Sequence, residues 1–573
     1  MKETLKQDHS LPLWLAAAFA AVLFALLCWQ RMAAAGAASS PESRDIPQAL
    51  SGGEPLRENK GLYQPNTDLH DVYISVFPTA DEEGNLLDLS AFQLHKSLDH
   101  SYNPILNCNI QILPEGQSPG AFRDLDHPNA TIRVRGNSTR GAEYKNYKVR
   151  LNSKTPDFFG QTVLNINKDS QDISRVCTKL STDLLAEMDD VVSYRSYFMR
   201  LWIRDASLPR EEQKFEYQGM YIELEQPNKA YLRARDLGED STLYKARGFT
   251  FRQDEALRDV NDPQYSEEDF EQVLGIREGG SHKKLLEMLE AVNDESRDFQ
   301  EVFQQYFNED NYLTWLAFNV LMGNEDFVGQ NYLLYNPEAS DTWYFIHWDF
   351  DGSLRFGDYE SQQPMSLRGI QRLAASVLHR RYFQVPGNLE KLDAKMRELL
   401  DTCITRERVS QLLASYRPVL EKTYPLPPDV SQRRTPEFLF AYLDSLYDGI
   451  LHNYDVFKAS SQYPFPGYVA WPERTRDGAV YFTWDAFFSL KQRPVTYSLR
   501  IYSDFETRKL VYEATGIQET SFLLEEGLPG GTYYLQVTGA DSDGREQLSL
   551  EQASGLSGSD TVTKSGLLEF TLE

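Results

Sequence analysis

"GNEDFVGQNYLLYNPEASDTWYFIHWDFDGS", Gly323 to Ser353, comes directly after the apolar run "NYLTWLAFNVLMG" of Asn311–Gly323. The run carries helical spacing, and Gly323 is a natural helix stop. Beyond Gly323 the chain reads as a loop, a strand "NYLLYN", a turn "PEASD" and a strand "TWYFIHWDF". Asp326 and Asn331 lie five residues apart in the loop, and Asp349 and Asp351 close the second strand. Carboxylates and a carboxamide are hard oxygen ligands suited to a divalent cation. The same residues also suit the turns of an ordinary hairpin. If the strand runs on through Asp351, Asp349 and Asp351 share one face while Trp348 and Phe350 share the other. Two neighbouring carboxylates repel unless a cation lies near them.

Working outward toward the N-terminus, the texture before about Glu267 is rich in strands. "DVYISVF" starts the alternation near Asp71, and "FFGQTVLNINK", "RSYFMRLWIRD" and "FEYQGMYIELEQ" continue it. "ATIRVRGNSTRGAEYKNYKVRL" reads as two strands joined by a glycine-containing turn. It presents Arg133, Arg135, Arg140, Lys145, Lys148 and Arg150, cations able to cradle phosphate together with backbone N–H groups. It matches neither the Walker pattern nor the G-x-G-x-x-G of protein kinases, and an exposed basic hairpin is the plainer reading. Beyond Glu267 the apolar spacing turns helical and remains so over about 388–457.

With 573 residues the chain is too long for one ordinary core. A net charge of −27 argues against a nucleic-acid partner, which would demand a basic face. Cys108, Cys177 and Cys403 are far apart, so no cysteine zinc site is expected. His347 reads as a packed histidine, and no second histidine stands at zinc spacing. Residues 11–29, "LPLWLAAAFAAVLFALLCW", are uncharged and long enough for a membrane-spanning helix. This predicts a signal anchor or cleaved signal over 1–40, with the bulk of the protein outside the cytoplasm. A flexible linker is expected over 41–70. Short strands punctuated by Pro and Gly over 465–573 resemble a fibronectin type III module, which implies contact with a surface protein or polymer.

Taken in order, "RGNSTRGAEYKNYKVRL", "GMYIELEQ" and "NEDFVGQNYLLYN…WYFIHWDFDGS" resemble the spore-coat-protein-H (CotH) kinase family over about 71–457. The resemblance implies an α+β, atypical protein-kinase-like two-lobe domain, here with a C-terminal all-β sandwich and a preceding transmembrane helix. It implies transfer of the ATP γ-phosphoryl group to a protein hydroxyl with Mg²⁺ or Mn²⁺. By position, Asp326 matches the catalytic aspartate, and Asp349, Asn331 and Asp351 the metal-binding set. Lys145 is the first candidate for phosphate contact, Lys148 the second, with Arg135 beside them and Lys245 a further contender. Glu225 matches a family glutamate that orients the lysine or shares in metal binding. A nonenzymatic binding scaffold, or another ATP-dependent transfer such as adenylylation or amino-acid ligation, remains open from the sequence.

Overall fold

The computed structural model describes residues 53–573 apart from 64–65, 121–124, 239, 325, 355–363, 432–433 and 558–559. The expected membrane segment and the start of the linker lie outside the described residues.

Seven strands form a closed barrel: β1 (Leu69–Val76), β2 (Leu106–Pro114), β3 (Ala130–Arg135), β4 (Asn146–Leu151), β5 (Val163–Asn167), β6 (Ser196–Asp205) and β7 (Glu216–Glu225). Neighbours pair in the order β1-β2-β3-β4-β5-β7-β6, and β6 returns to lie parallel to β1, with Leu69 opposite Phe198 and Val76 opposite Asp205. Closure leaves no edge strand to protect. Alternating apolar residues fill the interior, among them Val72, Ile74, Ile132, Val149, Leu164, Met199 and Leu201. The other set of alternating residues points outward, which is how Arg133 and Arg135 come to share one outer face of β3.

Helix α1 (Cys177–Leu185) leads from β5 toward β6. From β7 the chain passes through Gln226–Asn228 into a short helix α2 (Lys229–Ala234), where the Asn228 side chain accepts from the Tyr231 N–H. A second sheet comes next, built from β8 (Thr242–Ala246), β9 (Leu274–Glu278), β10 (Tyr332–Asn336) and β11 (Tyr344–His347) in the order β9-β8-β10-β11. Helix α3 (Glu309–Leu321) lies against it, buried on nearly all sides, with Trp315 stacked on Phe345 at 4.5 Å. Gly323 has a φ of +59°, and a Cβ there would meet the Asn453 side chain at 2.6 Å, so the helix stop needs glycine twice over.

The α+β expectation of a kinase-like two-lobe domain is corrected by this architecture, while the transmembrane helix expected over residues 11–29 falls outside the described residues. The chain is mixed α/β around a closed seven-stranded barrel. Among the described residues no helix is long and apolar enough to cross a membrane. Alternation reveals strands but not closure, because the parallel β1–β6 pair joins segments over 100 residues apart. Part of the expected linker is also built in. Leu56 is buried with Tyr194, Tyr231 and Trp348, the Tyr344 hydroxyl donates to the Glu54 carbonyl at 2.5 Å, and Lys60 pairs with Glu58 at 2.7 Å. Beyond Pro464, two antiparallel sheets share one core that includes Phe482, Leu499, Val537 and Phe570. The Arg380 guanidinium donates to the carbonyls of Pro466 and Ala486, which ties this region to the helical part.

Candidate active site

Strand β11 ends at His347, short of the two aspartates, and this corrects the expectation that Asp349 and Asp351 share a strand face. Asp349 has a left-handed φ of +65°, and Asp351 lies in the adjoining turn. The reason is packing. Trp348 and Phe350 are both buried, Phe350 edge-on to Phe318 at 5.5 Å, and one flat strand cannot bury two residues of the same face on opposite sides. His347 is fully buried, with Nε2 3.2 Å from the Trp315 carbonyl, and burial pushes its pKa down to about 3.

The β10–β11 ladder pairs Tyr332 with His347, so Asn331 and Trp348 leave the sheet at the same end. Asn331 has a φ of +58°, which like that of Asp349 is left-handed. Asp326 is exposed on the preceding loop. Asn324 links these parts. Its Nδ2 donates to the Asn319 Oδ1 at 2.9 Å and to the Asp349 carbonyl at 3.3 Å, while its Oδ1 accepts from the Asp326 N–H at 3.4 Å. Asn324 stands only two residues before Asp326 in the chain, yet its role needs the fold to be seen.

A cleft of about 610 Å³ opens between the barrel's outer face and the second sheet. Its barrel wall carries Arg133, Arg135, Lys148 and Arg150; Lys245, Arg247, Arg277 and Lys229 face them. Among the described residues no carboxylate lies within ion-pair distance of Arg133, Lys148, Arg150 or Lys245. Burial, then the charges of Arg133, Arg135, Arg277 and Arg150, hold the Lys148 pKa down at about 7. Lys245 is also held at about 7 by burial, against the opposing pull of Asp349, and its Nζ lies 5.1 Å from the Trp348 ring centre. Arg135 donates to Asn167 and feels Asp349, Asp169 and Asp351, which oppose the effect of its burial.

Lys145 stands elsewhere: its buried Nζ donates to the Arg140 carbonyl at 2.9 Å, at the turn between β3 and β4. Glu225 is buried at the end of β7, where Arg235 donates to it at 2.6 Å and Arg195 also binds it. Burial raises the Glu225 pKa, but Arg235 and Arg195 outweigh it and hold the carboxyl low. The structure therefore brings Arg135 and Lys245 toward Asp349, sets Lys148 in the same cleft, and places Lys145 and Glu225 among other partners. Arg247, Arg277 and Lys229 carried no signal of their own in the sequence, because they reach the cleft from separate elements.

Among the described residues no three His, Cys, Asp or Glu side chains form a ready-made metal cluster. The carboxylates Asp349, Asp169 and Asp351 all act on Arg135, Asn331 leaves the sheet at the same end as Trp348, and the buried Oδ2 of Asp169 has no hydrogen-bond partner. Asp169 is pushed up to about 7, first by burial and then by the charges of Asp172 and Asp349, with a Thr178 hydrogen bond opposing. Crowded carboxylates with an unsatisfied oxygen fit a hard divalent ion that completes its shell with water and phosphate, as Mg²⁺ does. They do not suit zinc.

A cationic cleft thus adjoins Asp349, and Asn324 ties the backbone of Asp349 to that of Asp326. The family model described as "CotH kinase protein" matches residues 132–461, more than half of the chain. The chain belongs to the CotH kinase family. It is 24% identical over 260 residues to the inner spore coat protein H of Bacillus subtilis (strain 168), covering 44% of this chain and 67% of that protein. The matched region takes in Asp326, Asn331 and Asp349 and ends before the C-terminal sheets.

Proposed function

We propose that this chain transfers a phosphoryl group from ATP to a protein hydroxyl at the end of the β10–β11 hairpin. The observation that carries the reading is the convergence of unpaired cations beside Asp349, with Asp326 held to the same backbone by Asn324. Phosphoryl transfer asks little covalent chemistry of a protein; it asks for positioning and charge stabilisation. Arg135 and Lys245 neutralise the phosphates nearest Asp349. Asp326 accepts the proton of the acceptor hydroxyl as its oxygen bonds to the γ-phosphorus and the bond to the bridging oxygen breaks, releasing ADP. Asp349, Asn331 and Asp351 would hold the divalent ion, with Asp169 behind them. When bound, that ion draws charge from the phosphate oxygens and aligns them. The relative is by name a spore coat protein, and on that likeness we place this chain outside the cytoplasm.

The test is intact mass spectrometry of the protein and candidate acceptors after incubation with ATP and Mg²⁺ or Mn²⁺, with Asp326→Ala alongside. A gain of phosphoryl mass in the wild type alone supports the reading. A gain of AMP mass assigns the site to adenylylation, and equal gain in Asp326→Ala removes Asp326 from the chemistry.

A further inference from the structure

The cleft has two unlike ends. At the inner end Arg135 and Lys245 adjoin Asp349. Strand register sets the outer end. Arg133 pairs with Lys148 and Thr131 with Arg150 across β3 and β4, while Lys148 pairs with Asn165 and Arg150 with Val163 across β4 and β5. Cations thus descend the barrel wall row by row, and four residues of strand from the Arg135 row to the Arg150 row span about 13 Å. The facing wall repeats the charge, with Arg247, Arg277 and Lys229. The two acids there are already engaged: Glu271 with Arg247 at 3.4 Å and with the Ile276 N–H, and Glu278 with the Lys229 N–H at 2.7 Å.

Apolar surface is scarce over the same length. Val163, Pro227, Ala230, Ile276 and Trp348 supply it, and Trp348 is only 4% exposed, with Lys245 and Arg135 over its ring. A heterocyclic base binds best in a flat, apolar slot. Like charges held together without counter-charges are costly, and an entering anion offsets that cost. A triphosphate at Asp349 satisfies the inner cations and leaves Arg133, Arg150 and Arg277 without an anion.

We propose that the outer end of this cleft is a second anion subsite, so that the cleft takes a linear polyanion of the polyphosphate class with anionic groups at both ends. The subsite rests on reading the cleft as a phosphate site, and it deepens that reading without using the transfer step. Arg150 and Arg277 mark its outer limit on opposite walls, and Arg133 bridges the two ends.

Calorimetric titration of the full chain with inorganic tripolyphosphate and with linear pentaphosphate, free of divalent ions, tests it. The pentaphosphate is expected to bind at least tenfold more tightly. Arg150→Gln and, separately, Arg277→Gln should remove that gain while leaving tripolyphosphate affinity within about twofold. Lys214→Gln removes the same charge from an exposed side chain outside the cleft and should change neither. Asp326→Ala should also change neither, so that failure of the transfer chemistry and failure of the subsite are read separately. Equal affinity for the two chain lengths, or a pentaphosphate gain that survives in both arginine variants, overturns the proposal. Circular dichroism and melting of each variant establish that it is folded, and the two arginines on different elements guard against one variant misfolding.

Discussion

Two arginine-rich regions of this molecule lie on either side of Trp348 and have opposite electrostatic character. Around Arg235 every charge is matched. Its guanidinium meets Glu225 at 2.6 Å and Glu58 at 3.4 Å, donates to the carbonyls of Ser193 and Tyr231, and covers the Tyr231 ring at 3.7 Å. Lys148 and Arg133 face the cleft with no carboxylate within ion-pair distance of either among the described residues, while on the opposite wall Glu271 pairs with Arg247. The first arrangement joins the barrel, α2 and the segment near Glu58 into one body. The second leaves charge for a ligand to complete. A count of arginines would not separate them; the presence or absence of a counter-charge does.

The contrast breaks most sharply at Asp349. Asp349→Ala is expected to lower phosphoryl transfer by at least about 10³-fold, because it removes transition-state charge stabilisation, while the melting temperature stays near that of the wild type. Transfer is read by incorporated phosphate. A folded variant with full activity would detach the cationic cleft from catalysis.

Next in size is the matched region. Arg235→Ala removes one cationic partner each from the buried Glu225 and Glu58, which keep Arg195 and Lys60, and is expected to destabilise the fold by about 3 kcal/mol, measured by denaturant unfolding. Lys148→Met removes an unpaired cation and should leave stability unchanged or slightly raised, yet weaken ATP or polyphosphate binding by about tenfold, on the order of 1.4 kcal/mol. Similar stability losses in both variants would erase the distinction between the matched and unmatched regions.

Asn324→Ala cuts the link between the Asp326 N–H and the Asp349 carbonyl. It should lower kcat by about tenfold to a hundredfold with little change in nucleotide affinity, the split expected of a positioning residue. The smallest effect is on pH. Lys148 sits at about 7 in the folded protein against 10.5 unfolded. Between these values the unfolded chain binds more protons, so this lysine makes stability rise with pH across that window, and its full penalty is present below 7. Bound phosphate favours the charged ammonium, so affinity should fall as pH climbs through 7 and binding there should take up protons. Calorimetry in buffers of different ionisation heat measures that uptake, and Lys148→Met should reduce it.

The elements that carry the candidate residues were legible in local sequence. The helix ending at Gly323, the hairpin and the order Asp326, Asn331, Asp349 all come from apolar spacing and turn residues, which act over a few positions. Lys145 shows the limit of that reading. It stands three residues from Lys148, an odd spacing that sends the two to opposite faces of an extended chain. The turn before β4 then directs Lys145 to the Arg140 carbonyl. Glu225 shows another limit: its partners Arg195 and Arg235 come from β6's leading edge and the end of α2, which no local pattern joins.

By itself, then, the sequence determined its strands, its helices and the oxygen-bearing hairpin, because each depends on neighbours within one or two turns. Tertiary structure decided the rest. Closure of β1 against β6, the burial that bends the backbone at Asp349, and the gathering of Arg133, Lys148, Lys245 and Arg277 in one cleft all depend on contacts between distant segments. A charge has no function until its surroundings show whether another charge has already answered it, and only the folded chain supplies those surroundings.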